Sequence, residues 1–172
     1  MRKYKSRPRK SSLNLEDFNM EQNSIINFNE PLVPRYPKIQ TNLVYAFKDG
    51  HPLTLNLITP PVLPNVKAHF PLLIYVPDVD EHNMVKIDER FAQMLEIAKR
   101  GYAVALISYR TNTDVTAMVK DIHSATRFLL DHAFKYKLDP YRYLLFGEGL
   151  GGYLSSLSIL DQGQQRANDE DV

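Results

Sequence analysis

The sequence predicts an α/β fold: a mostly parallel sheet with antiparallel first strands and helices on both faces. Continuous apolar runs of strand length recur at Pro71 to Pro77, Tyr102 to Ser108 and Tyr143 to Phe146, as in strands covered on both faces. Between them lie segments of helical period, and strands alternating with helices in this way imply right-handed crossovers and parallel pairing. Earlier, Asp49-Gly50 separates two shorter runs, a hairpin signal that makes the opening strands antiparallel.

Element by element, residues 1–37 lack a sustained period of 2 or 3.6, are rich in Asn, Ser and Lys/Arg, and end in Pro31, Pro34 and Pro37. They are expected to form a flexible basic arm. From Thr41, Asn42 to Phe47 and Leu53 to Ile58 read as the hairpin strands. Pro71 to Pro77 should lie centrally in the sheet. Ile87, Phe91, Met94, Leu95 and Ala98 fall on one helical stripe, with Gly101 placed for a left-handed C-cap. The strand at Tyr102 to Ser108 is followed by a turn at Thr111 to Asp114. That turn can cap a helix carrying Val115, Met118, Ile122, Ala125 and Leu129 on one face, closed by Asp139-Pro140. Leu150 to Leu160 form one more helix, then polarity rises into acids at 169, 170 and 171. The expected division is an arm at 1–37, an α/β domain at 38–160 and a polar acidic tail at 161–172.

Composition narrows function by exclusion. With 21 basic and 20 acidic side chains in 172 residues, the net charge of +1 argues for neither a nucleic acid nor a membrane partner. Six of those basic residues lie within residues 1–10, leaving 15 against 20 acids elsewhere, a net of −5. The absence of cysteine removes disulfides and thiolate zinc sites and suits a reducing cytoplasm. No apolar segment follows the basic start and no run of 18 apolar residues occurs. Neither a signal peptide nor a membrane span is expected, and no cofactor.

Pro71 to Pro77, Arg100-Gly101-Tyr102-Ala103-Val104, Ser108-Tyr109-Arg110, Leu138-Asp139-Pro140-Tyr141-Arg142 and Gly147 to Gly152 occur in this order. Together they resemble the esterase/lipase branch of the α/β-hydrolases, in particular its acetylesterase-like and feruloyl-esterase-like members, over residues 41 to 160. The resemblance implies the N-terminal half of an α/β-hydrolase fold, hence a truncated one, and a family activity of carboxylic ester hydrolysis. It also implies a nucleophile elbow at Gly147, Glu148, Gly149, Leu150 and Gly151. Gly149 stands where such an esterase carries its attacking serine. The segment Pro77, Asp78, Val79, Asp80 replaces the family's His-Gly-Gly-Gly oxyanion loop, with a proline that has no N–H and two carboxylates that would repel a developing oxyanion. In the family the acid and the histidine follow the elbow, yet no histidine follows Gly152 here. The implied reading is a catalytically inactive relative of ester hydrolases. Its rivals are an esterase completed by a second polypeptide and an interaction module with a basic arm.

Other chemistry-bearing residues take plainer readings. His51, His69, His82, His123 and His132 all precede the elbow and are read as surface or packing side chains. Asp78, Asp80, Glu81 and His82 lack the glycine of a calcium loop and are read as a solvated acidic turn, with no metal. Ser155 and Ser156 lie within the helix after the elbow and are read as helix serines. Glu148 is read as a flanking structural residue, and the elbow glycines do not match G-x-G-x-x-G. In the hydrolase fold the strand at Tyr143 to Phe146 is interior. Here it should leave an open apolar edge through which the chain self-associates or takes a partner.

Overall fold

A computed structural model describes residues 36–62, 67–87 and 89–161. The basic arm lies outside the described residues except for Tyr36 and Pro37, and the acidic tail except for Asp161.

Strands β1 (Lys38–Lys48) and β2 (His51–Thr59) form the antiparallel hairpin, Lys48 opposite His51. Asp49 and Gly50 both have positive φ, 51° and 78°, the left-handed pair of a type I′ turn whose twist matches its strands. β1 begins earlier than the Thr41 expected and is irregular near Asn42, where φ is 55°. There the Asn42 N–H donates to the side-chain oxygen of Asn56 (3.0 Å), which satisfies a buried amide on β2.

Strands β3 (Phe70–Val76), β4 (Ala103–Ile107) and β5 (Leu138–Gly147) complete a sheet of order β1-β2-β4-β3-β5. β2 runs antiparallel to β1 and β4, while β3 is parallel to both β4 and β5. β3 is thus interior, as its unbroken apolar run predicts. Leu72, Ile74 and Val76 join Leu55, Leu57, Ala105 and Ile107 on one face. Over them pack α2 (Val115–Asp131), α3 (Ala133–Tyr136) and α4 (Gly149–Asp161), through residues such as Ile122, Leu129, Tyr136 and Leu154. On the opposite face Tyr75, Val104, Leu106 and Ile58 meet Met94 and Ala98 of α1 (Phe91–Lys99). Helices therefore cover both faces. None of those described is long and apolar enough to cross a membrane.

Two further boundaries differ from the sequence-based expectation. α1 starts at Phe91, and Ile87 packs on the same cluster from the loop before it. Asp139-Pro140 does not close α2: the helix stops at Asp131, α3 follows, and Lys137 ends it in a left-handed conformation (φ 58°). Asp139-Pro140 sits instead within β5, where the register jumps from Phe70 opposite Leu138 to Leu72 opposite Tyr143. The Asp139 carboxylate holds this irregularity, accepting from the Tyr141 N–H (2.9 Å) and Arg142 Nε (2.6 Å). Proline is tolerated there because the strand is at an edge.

Asp114 caps α2 as expected, accepting from the Ala117 N–H (2.8 Å). Within α2 lies Asp121, a fully buried carboxylate. It accepts from the Arg110 N–H (3.1 Å), from Nε (3.0 Å) and from Nη2 (2.8 Å), while Nη1 reaches Asp49 in the hairpin turn (2.7 Å). One guanidinium thereby ties the end of β4 to α2 and to the hairpin.

Candidate functional site

β5 ends at Gly147 and α4 begins at Gly149, so a single residue, Glu148, makes the reversal. The turn is tight because side chains are missing where the chain is most crowded. A Cβ on Gly147 or Gly151 would run into the Val76 carbonyl oxygen, so both must be glycine for the first turn of α4 to lie against the end of β3. Gly149 has φ +52°, the left-handed region that a residue with a Cβ enters only at a cost.

β3 leads into Pro77 and Asp78. Tyr109, almost fully buried, donates its hydroxyl to the Pro77 carbonyl (2.8 Å). Burial, and then the nearby Asp78 charge, hold the Tyr109 phenol protonated well above the ordinary range. The Asp78 carboxylate reaches across to the elbow and accepts from the Leu150 N–H (2.9 Å). A Cβ built on Gly149 would overlap that carboxylate. The space in front of residue 149 is therefore filled by Asp78, at the N-terminal end of α4 where the helix dipole favours negative charge.

Asp80 has a separate role. Its carboxylate accepts from the N–H groups of Met84 (2.8 Å) and His82 (2.9 Å), and Val79 pairs with Val85 to close the turn. Those N–H bonds, Met84 first, hold the Asp80 carboxyl below its usual range. Both Asp78 and Asp80 were expected to border an oxyanion; only Asp78 meets the elbow.

Glu148 is held on the other side. Its Oε2 accepts from Arg90 Nη2 (2.9 Å) and Nε (3.1 Å), the residue that precedes α1. Tyr75, beneath Phe146 with ring centroids 5.2 Å apart, has its phenol pKa raised by burial and then by the Glu148 charge. Arg90 was not anticipated as a partner, and nothing in its local spacing marks it. The expected helix serines are back-bonded: Ser155 donates to the Gly151 carbonyl (2.7 Å) and Ser156 to that of Gly152 (3.0 Å). His123 meets the Ser158 carbonyl (3.1 Å) and His132 that of Phe128 (2.8 Å), whereas His51 and His69 are exposed and His82 lies 3.9 Å from Glu81. Among the described residues no group of three or more His, Asp or Glu is arranged to hold a metal ion.

Chemically, residue 149 offers no hydroxyl, thiol or amine, and the adjacent N–H already has an acceptor. The match to known families covers this whole region: residues 62–172 align with BD-FAE. The chain belongs to the BD-FAE family. As a curated relative it has the Arabidopsis thaliana "Probable isoprenylcysteine alpha-carbonyl methylesterase ICMEL1", 32% identical over 69 residues, which are 39% of this chain and 14% of that protein. Among solved structures, the propionate-bound esterase Est2 of Thermogutta terrifontis matches at a TM-score of 0.61 and 20% identity, covering 81% of this chain and 51% of that one. The same esterase phosphoramylated by tabun matches at 0.59 and 22%, covering 73% and 47%. This BD-FAE chain thus has the fold of an esterase-like α/β-hydrolase and spans about half the length of the solved structures it resembles.

Proposed function

We propose that this BD-FAE chain is a catalytically silent relative of the carboxylic ester hydrolases, with Gly149 at the degenerate nucleophile position and Pro77 to Asp80 as a degenerate oxyanion loop. One observation carries the reading: the Asp78 carboxylate fills the space a side chain at 149 would need and takes the Leu150 N–H. In hydrolases of this fold the N–H of the residue after the nucleophile is an oxyanion donor, and the N–H at that place, Leu150, is already bonded to a carboxylate and cannot stabilise a second negative charge. Losing one such donor costs roughly 10²- to 10³-fold in rate even where the nucleophile is present. This support is local to the elbow. Purified chain should release nitrophenol from short p-nitrophenyl esters no faster than a protein-free control. A burst of release, abolished by a serine-directed phosphonate, would overturn the reading.

A second role, association through the sheet edge, is favoured by β5. Among the described residues the strand pairs only with β3, and beside it Tyr143, Leu144, Tyr153, Ile159 and Leu160 are exposed, Leu144 at 55%. An unpaired edge flanked by apolar side chains is a template for pairing. The purified chain is expected to self-associate through residues 143 to 160 as concentration rises. Leu144→Lys should shift sedimentation velocity profiles toward monomer. A sharp wild-type monomer peak at high concentration, with no dye binding to apolar surface, would rule this role out.

A further inference from the structure

We infer that β5 pairs antiparallel with β5 of a second copy of this chain, about a two-fold axis at Leu145, so that two sheets become one. The inference rests on the association reading above and gives it a partner and a register.

The α1 side of the edge is complementary to its own reversal. Leu144 and Phe146 lie opposite Leu73 and Tyr75, and Phe146 packs with both on the α1 cluster. By alternation Arg142 precedes them on that side, and Glu148 follows, reaching Arg90 just before α1. The order is cation, apolar, apolar, anion. An inverted copy sets Arg142 against Glu148 and Leu144 against Phe146, twice over by symmetry. A two-fold interface needs that self-complementarity, whereas an unrelated partner would not. Neither charge is saturated. The Arg142 side chain is 62% exposed and meets Asp139 through Nε (2.6 Å), while that of Glu148 is 49% exposed and meets Arg90 through Oε2. Among the described residues this leaves the Arg142 Nη groups and Glu148 Oε1 open.

The backbone is in the matching phase. The Phe70 N–H donates to the Lys137 carbonyl (2.8 Å), so Phe70, and with it Leu72, Ile74 and Val76, turn their backbone groups toward β5. Opposite these last three stand Tyr143, Leu145 and Gly147, which in a parallel pair direct their own N–H and C=O away from β3. An antiparallel partner centred on Leu145 exchanges hydrogen bonds at those residues, Leu145 with its copy and Tyr143 with Gly147. The remaining pairs, Leu144 with Phe146 and Arg142 with Glu148, are then the ones whose side chains approach most closely.

The test exchanges charge between copies. Arg142→Glu and Glu148→Arg should each raise the dimer Kd read by sedimentation velocity roughly tenfold or more, through like charges at both ends of the seam. Mixed in equal amounts they should form a heterodimer with a Kd close to wild type, since each residue 142 then meets an opposite charge at 148. The chain has no cysteine, so Leu145→Cys, on the axis and within disulfide reach, should become a covalent dimer under mild oxidation. Leu144→Cys, displaced from the axis, should not. This comparison decides if Glu148→Arg, which also loses Arg90, fails to fold. A wild-type dimer that cross-links through residue 144 and not 145, or a mixture no tighter than either variant alone, overturns the register and leaves association standing. A monomeric wild type at high concentration overturns both.

Discussion

Gly149→Ser is expected to lower the stability of this chain by about 3 kcal/mol and to yield no hydrolase. Part of the loss is backbone strain, of order 1 kcal/mol or more, because φ is +52° and serine enters that region less readily than glycine. The larger part is steric and polar. The new Cβ overlaps the Asp78 carboxylate, which must leave the Leu150 N–H, and an unpaired polar group at a crowded site costs about 1–3 kcal/mol. The two positions should therefore be coupled: Gly149→Ser with Asp78→Ala should lose less than the sum of the single changes, by roughly 1 kcal/mol or more. Urea midpoints measure this directly. A midpoint unmoved by Gly149→Ser would mean that Asp78 and Gly149 are not packed together as described.

The second large effect is expected at Arg110. Replacing it with alanine strands the fully buried Asp121 carboxylate, which loses two guanidinium hydrogen bonds, at a cost of about 3 kcal/mol. Pairing with Asp121, and then with Asp49, keeps the guanidinium charged far beyond any accessible pH, so pH will not mimic the variant. Arg110→Lys should rescue little, because an ammonium cannot reproduce the two-pronged contact. Replacing both partners, as in Arg110→Met with Asp121→Leu, should recover much of the loss, since a buried pair often gains little net stability over apolar residues of similar volume. Asp49→Ala, at the exposed end, should cost under about 1 kcal/mol. A loss that small for Arg110→Ala would show that Asp121 is solvated.

Much of the framework was legible in the sequence because its causes are local. Asp49-Gly50 encodes a turn with two positive φ values, Asp114 carries its own capping oxygen, and the apolar runs at 71–76 and 103–107 have the length and composition of strands covered on both faces. The tight strand-to-helix reversal at 147–149 was legible from its glycines. What escaped were contacts decided by tertiary placement. Asp139-Pro140 reads as a helix stop, yet the chain first makes α3 and uses Asp139 to kink an edge strand. Arg90 and Glu148 are 58 residues apart, and no periodicity links them. Asp78 was legible as a residue hostile to an oxyanion, but only the fold reveals which N–H it takes. The absent Cβ at 149 is the one local hint.

The sheet order also bears on how the chain is made. β2 pairs with β1 and β4, and β4 with β3, so four strands and α1 lie within residues 38–107 and can assemble as they leave the ribosome. Among the described residues β5 reaches the sheet only through β3, and α4 follows it. Until α4 docks, Asp78, two residues beyond the end of β3, lacks its Leu150 partner and has water for its carboxylate. Its desolvation therefore waits on the docking of α4, and the Leu150 N–H that meets it serves as a check that this helix has found its place.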